Sequence, residues 1–174
     1  MTKGEFRVFG FVLAGLIEEA VILFRHDPAW QGRVGCYFCM GDRQGGESLF
    51  GPMLVGEVPP EKAGRYLRLS KEKYHRLVLH PCHHSSYESR DRAADKWGGA
   101  VSLGIREPIF SISGFSEYGD EALSLLLAEI HGARMAPVSA AGVAGIIAMR
   151  TGNPYWEPLR DAARMIMDVA MQAA

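Results

Sequence analysis

The sequence predicts a layered α/β fold (α+β layered), one mostly antiparallel sheet with helices packed against it. Three observations carry that prediction. Residues 97–132 read as strand, tight connection, strand, a Ser-Gly corner and an amphipathic helix. Residues 33–79 give the same order, a hairpin and then a helix. A long apolar helix stands ahead of both. At 174 residues the chain is most simply one domain, long enough to bury roughly 70% of its unfolded surface.

The first helix is predicted from about Glu5 to Phe24, stopped by Asp27-Pro28. Phe6, Phe9, Leu13, Leu16, Ile17, Ala20, Val21 and Phe24 form the usual apolar stripe, and Phe11, Val12, Ile22 and Leu23 carry it well round the helix. A helix apolar on nearly all sides needs more cover than its own sheet offers, which suggests a second subunit. Lys3 and Arg7 ahead of the run Val8 to Ile17 imitate a signal peptide, but Glu18 and Glu19 interrupt it and no A-x-A pattern follows. The uninterrupted run is too short for a membrane span.

Arg33 to Met40 is strand-like, the Gly41–Gly46 stretch supplies a turn, and Ser48 to Val55 returns before Val58-Pro59-Pro60. A helix from Glu61 to Leu79 follows, with Pro60 near its first position and Tyr66, Leu69, Tyr74 and Leu77 as apolar anchors. Arg65, Arg68, Lys71, Lys73 and Arg76 make it strongly basic. His80-Pro81 breaks it, and Ser86 to Lys96 reads as a short polar helix.

In the second hairpin Val101 and Leu103 alternate with Ser102, and Phe110 and Ile112 with Ser111 and Ser113. Pro108 marks the turn or the first residue of the second strand, because it has no N–H for a central ladder. Gly114 turns the chain, and Ser116 caps a helix whose first turn carries Glu117, Asp120 and Glu121 near the positive end of its dipole. Leu123, Leu126, Leu127 and Ile130 follow at helical spacing, and Gly132 is read as its close. Residues 1–132 form this α/β unit. Residues 133–174 add a helical extension of the same unit: Ser139 caps a small-residue helix, Asn153-Pro154 breaks it, and Pro158 to Gln172 forms the last helix. Met165, Met167 and Met171 there suit an adaptable contact surface.

Several stretches resemble the GlcG/HbpS-like superfamily, named for a heme-degrading domain, in a branch of small proteins. They are GESLFGPMLVGEVPPEKAGRYLRLSKEKYHRL (46–77), HSS (84–86), WGGAVSLGI (97–105) and IFSISGFSEYGDEALSLLLAEI (109–130). The resemblance, over roughly residues 5 to 132, implies a profilin-like layer fold and assembly into homo-oligomers. Some relatives bind heme or form the terminal domain of corrinoid-modifying enzymes, so heme or a related tetrapyrrole is the ligand it implies.

Four groups of residues carry candidate chemistry. Cys36, Cys39 and Cys82 with His80 have the ligand types of a tetrahedral zinc site. Cys36 and Cys39 are also what a strand would hold as core residues, since positions three apart face opposite ways. His83 and His84 are candidate axial ligands to heme iron, His84 favoured by its place in the family's His-Ser-Ser segment; the plain alternative is a polar loop. Arg65, Arg68 and Arg76 are suited to carboxylate, phosphate or propionate groups, or else to a solvated helix face. Ser113 and Gly114 could present backbone N–H groups to an anion at the helix start. Asp120-Glu121 is explained by the helix dipole rather than by acid–base work. No Gly-x-Ser-x-Gly elbow, Walker motif or dinucleotide glycine motif occurs, and no catalytic residue is assigned.

The net charge of −1 and a pI near 6.6 give no general pull toward nucleic acid or anionic membrane. Three cysteines without regular spacing argue against a disulfide-stapled secreted domain and for a reducing cytoplasm. The expectation is a homo-oligomeric binder of a small molecule, with a non-catalytic assembly protein and a zinc protein as the alternatives.

Overall fold

The computed structural model describes residues 2–43, 49–133 and 137–164. Their order is α1 (Lys3–Leu23), β1 (Val34–Gly41), β2 (Phe50–Glu57), α2 (Pro60–Leu79), a single 3-10 turn at Ser86–Ser89, β3 (Ala100–Val101), β4 (Ile109–Ser113), α3 (Glu117–Ala133), α4 (Pro137–Thr151) and α5 (Trp156–Ala162). The expected layered α/β fold is the fold found. Both hairpins form, and they join side by side through β1 and β4, giving one antiparallel sheet in the order β2-β1-β4-β3.

Helices cover both faces of the sheet. On one side α1 and α3 bury Phe9, Leu13, Leu123 and Leu126 against Phe38, Met40, Phe110 and Ile112. On the other α2 packs Tyr74 and Leu77 on Ala100 and Ile109. This explains why β4 is buried at every position, serines included. α4 and α5 then cover the outer side of α3 with Ala144, Ile147, Ala148, Trp156 and Leu159. Enclosed on both sides, α3 reads as nearly continuous burial, with Glu121, Ser124 and Glu129 inside.

Several local expectations need correction. Ser86–Lys96 is one 3-10 turn followed by turns, with an isolated bridge between Asp91 and Lys96. The helix breaks off at Arg90, which is extended (φ −66°, ψ 144°), and Asp95, with a φ of 55°, is left-handed. β3 is only two residues long, because Ser102 Oγ donates to the carbonyls of Gly104 and Glu107 and turns the chain at once. Gly132 does not end α3, which runs on to Ala133; a Cβ at Gly132 would lie 2.9 Å from that of Ala140, so the glycine serves the close approach of α4. Ser139 lies inside α4 rather than ahead of it. The last helix starts earlier than expected, at Trp156, and is described to Ala162; its expected run to Gln172 lies outside the described residues beyond 164. Met165, Met167 and Met171, and the turn residues 44–46, lie outside the described residues.

On α1, Phe11 is 80% and Ile22 65% exposed, and beside it on the edge strand β2 Leu54 is 51% exposed. Gly10, Phe11, Ala14, Met53, Leu54 and Val55 line an apolar groove there. Among the described residues no helix is long and apolar enough to cross a membrane.

Candidate functional site

The first half of α2, the loop before β3 and the start of α3 enclose a cleft of about 390 Å3. Its walls are aromatic, from Tyr66, Trp97, Phe115 and Tyr118, and four cations reach it: Arg33, Arg65, Lys73 and Arg92.

Lys73 lies on the buried stripe of α2, with Leu69 one turn before it and Leu77 one turn after. Its side chain therefore points inward, and it is 1% exposed. It runs past Gly99, where a Cβ would stand 2.7 Å from Nζ, and donates to the Ile112 carbonyl at 2.9 Å and to Asp120 Oδ2 at 2.7 Å. Asp120 Oδ1 accepts from the backbone N–H groups of Gly114 (3.0 Å) and Phe115 (2.8 Å). Burial pushes the Asp120 carboxyl up, and Lys73 and these two N–H groups pull it back.

That arrangement corrects one site expectation. The Gly114 N–H, read as a donor for an external anion, is already held by Asp120. Ser113 lines the cleft but is 2% exposed. Ser116 does cap α3, accepting from Gly119 N–H at 3.2 Å. Asp120 and Glu121 are also more than partners of the helix dipole. Glu121 is fully buried and accepts from the Ser85 hydroxyl, from Thr151 Oγ1 at 2.8 Å and from Asn153 Nδ2 at 2.9 Å. Burial raises its carboxyl despite those three donors.

The arginines of the basic helix fall into two groups. Arg65 and Arg68 both hold Asp95, at 2.8 and 2.5 Å, and Arg65 also lines the cleft. Trp97 Nε1 adds a third bond to Asp95 at 2.6 Å. Arg76, expected to meet a ligand, is 5% exposed and donates to the carbonyls of Ser89 (3.2 Å) and Trp97, so it fixes the loop instead. Arg92, which sequence reasoning passed over, bonds Glu117 and lies 5.5 Å from the centre of the Trp97 ring. Arg33, also passed over, is half-buried, and among the described residues its side chain makes one long bond, Nη1 to the Gly114 carbonyl at 3.4 Å. Its place just before a strand bordering a Ser-Gly corner was the only available signal.

The cysteines and histidines are not brought together. Cys36 belongs to the α1/α3 core, while Cys39 faces α2, its Sγ 3.4 Å from Ser70 Oγ. Burial raises the Cys36 thiol and pushes Cys39 up to about 11. Cys82 is exposed in the loop after α2. The His80 and His83 rings stack, with centres 5.0 Å apart, and Arg43 donates to both their carbonyls. His84 Nδ1 lies 3.1 Å from the Ser102 carbonyl. None of these imidazoles lines the cleft. Among the described residues no group of three or more His, Cys, Asp or Glu is placed to hold a metal ion. Compared with protein-family models, with curated proteins and with solved structures, the chain has no match.

Proposed function

We propose that this protein binds a small planar molecule in the cleft between α2 and the start of α3. The observation that carries the reading is the meeting of four aromatic side chains and four cations around one cavity. Apolar walls with a few placed polar groups are the usual make-up of a small-molecule site. The volume of about 390 Å3 lies toward the lower end of such sites. It suits a molecule of a few fused rings, or one edge of something larger. A tetrapyrrole, the ligand the GlcG/HbpS-like resemblance implies, belongs to that second kind. Held in the cleft it would be gripped by its ring and propionates, since His83 and His84 stand elsewhere.

A second reading, assembly without chemistry, is favoured by the exposed apolar residues of α1 and β2, notably Phe11 and Leu54. The two are compatible in a homo-oligomer that binds a ligand in each subunit.

Titration with hemin, metal-free protoporphyrin and smaller aromatic acids, followed by absorption and by Trp fluorescence, tests the ligand reading. Saturation at one equivalent that is weakened at least tenfold in Tyr66→Ala and Tyr118→Ala supports it. Equal binding of hemin and metal-free porphyrin, with no effect of His83→Ala or His84→Ala, supports the cleft over an iron-ligating loop. No saturable binding of any probe refutes it, and a concentration-dependent oligomer broken by Phe11→Asp then supports the assembly reading.

A further inference from the structure

We infer that the cleft selects ligands carrying a carboxylate or phosphate group, and that Arg33 is the residue that takes that group. The inference rests on the cleft's being the ligand site. Of the four cations at the cleft, three are already matched: Lys73 with Asp120, Arg65 with Asp95, and Arg92 with Glu117. Among the described residues no carboxylate lies within ion-pair distance of Arg33. Its guanidinium has five N–H donors and uses one, at 3.4 Å. Half-buried beside aromatic walls, it loses part of its water without gaining an anion, which is unfavourable until an anion arrives.

The surroundings favour an oxyanion in that position. Ser116 lines the same cleft, and its hydroxyl oxygen accepts from Gly119 N–H, which leaves its O–H free to donate. The planar fork of arginine matches carboxylate and phosphate oxygens two at a time. The rings of Phe115 and Tyr118 line the same cleft for the apolar body of the ligand. Without its charged group, the same aromatic body would leave Arg33 unmatched.

The test is the pair 2-naphthoate and 2-naphthamide, with 2-naphthyl phosphate as a third probe, measured by calorimetry and by protein amide shifts at Gly114–Glu117. Wild type is expected to bind the acid and the phosphate at least about tenfold tighter than the amide, the size of one charge-assisted contact. The ratio of phosphate to carboxylate affinity tells which oxyanion is preferred. Arg33→Gln is expected to bring acid and amide to equal affinity by weakening the acid alone, and Arg33→Lys to restore part of the difference. Since the Arg33 side chain makes one long bond among the described residues and is unmatched without an anion, these variants should unfold no lower than wild type, which serves as the folding control. Equal binding of acid and amide to wild type, or an acid preference that Arg33→Gln leaves intact, overturns the inference while the cleft reading stands. Failure of both acid and amide to bind takes the cleft reading down as well.

Discussion

Lys73 of α2 and Asp120 of α3 meet at 2.7 Å although the sheet lies between their helices, and neither side chain is more than 4% exposed. The contact passes the end of the sheet at Gly99, where φ is 123° and a side chain would strike Asp120 Cβ at 2.6 Å. One ion pair therefore ties both helical layers, the start of β3 and the Gly114-Phe115 corner into the floor of the cleft.

Removing one partner of this pair strands the other in the core. Lys73→Ala is expected to cost about 3–5 kcal/mol, a large part of the stability of an ordinary domain. Lys73→Met combined with Asp120→Asn removes both charges and should cost less than the sum of the two single changes. Gly99→Ala should fall in the same severe class through its left-handed φ and the lost passage. Urea unfolding of Lys73→Ala, of Lys73→Met and Asp120→Asn singly and together, and of Gly99→Ala checks this. Additive single and double changes would mean that the two residues do not act as a pair.

Asp95 fastens the loop beside the cleft in a different way, on the surface. Arg65, Trp97 Nε1 and Arg68 hold its carboxyl well below the usual range, so its contribution is present above the unfolded value near 3.9 and is lost as pH falls below it. The partners are half-exposed, at 51% and 58%, so the effect on global stability is about 1 kcal/mol or less. Asp95→Asn keeps a residue that tolerates the left-handed backbone. It should leave global unfolding almost unchanged while amide exchange over residues 91–97 speeds up. Asp95→Ala adds the backbone cost of about 1 kcal/mol. If exchange in the loop is the same in wild type and Asp95→Asn, the clamp is not what holds it.

What the sequence made legible, and what it did not, divides along the physics. Periodicity and turn chemistry marked the hairpins, α1, α2 and α3, because those signals lie within a dozen residues. The cleft was not legible, because it is made by side chains far apart in the chain: Arg33 and Gly114 are 81 positions apart, and Lys73 and Asp120 are 47. Composition counted Lys73 among the surface charges of a basic helix. Its spacing from Leu69 and Leu77 was the signal that it points inward. Asp120 and Glu121 fitted the dipole rule so well that their burial, Asp120 against Lys73 and Glu121 against Thr151 of α4, went unread. Arg76 shows the reverse case, a residue chosen for ligand chemistry that the fold uses on two carbonyls.

The three cysteines offer a test of the layers themselves. Cys36 and Cys39 lie on opposite faces of β1 under α1/α3 and α2, both fully buried, with thiols raised by burial. Cys82 is exposed. Since the thiolate is the reactive form, a thiol reagent at neutral pH should label one equivalent rapidly. The other two should react only at the rate of opening, and Cys82→Ser should abolish the fast phase. Two fast equivalents would mean that β1 is not covered as described.

Glu121 sets a pH dependence whose sign can be worked out. Its carboxyl is raised in the folded state because burial outweighs the Ser85, Asn153 and Thr151 donors, with Glu117 pushing the same way. In the window between the unfolded value, near 4.3, and the higher folded value, the native state binds more proton than the unfolded state. Stability from this group is then full below the unfolded value and declines as pH rises through the folded one. Glu121→Gln does not titrate but keeps an oxygen to accept from Asn153 or Thr151. The stability of Glu121→Gln minus that of wild type is therefore expected to grow with pH above about 4.3 and then level off. Taking the difference cancels the opposite-signed contribution of Asp95, which both proteins share. Urea midpoints from pH 4 to 8 read it directly. A difference that shrinks with pH would show that the three donors outweigh burial and lower the carboxyl, and a flat one that donors and burial cancel.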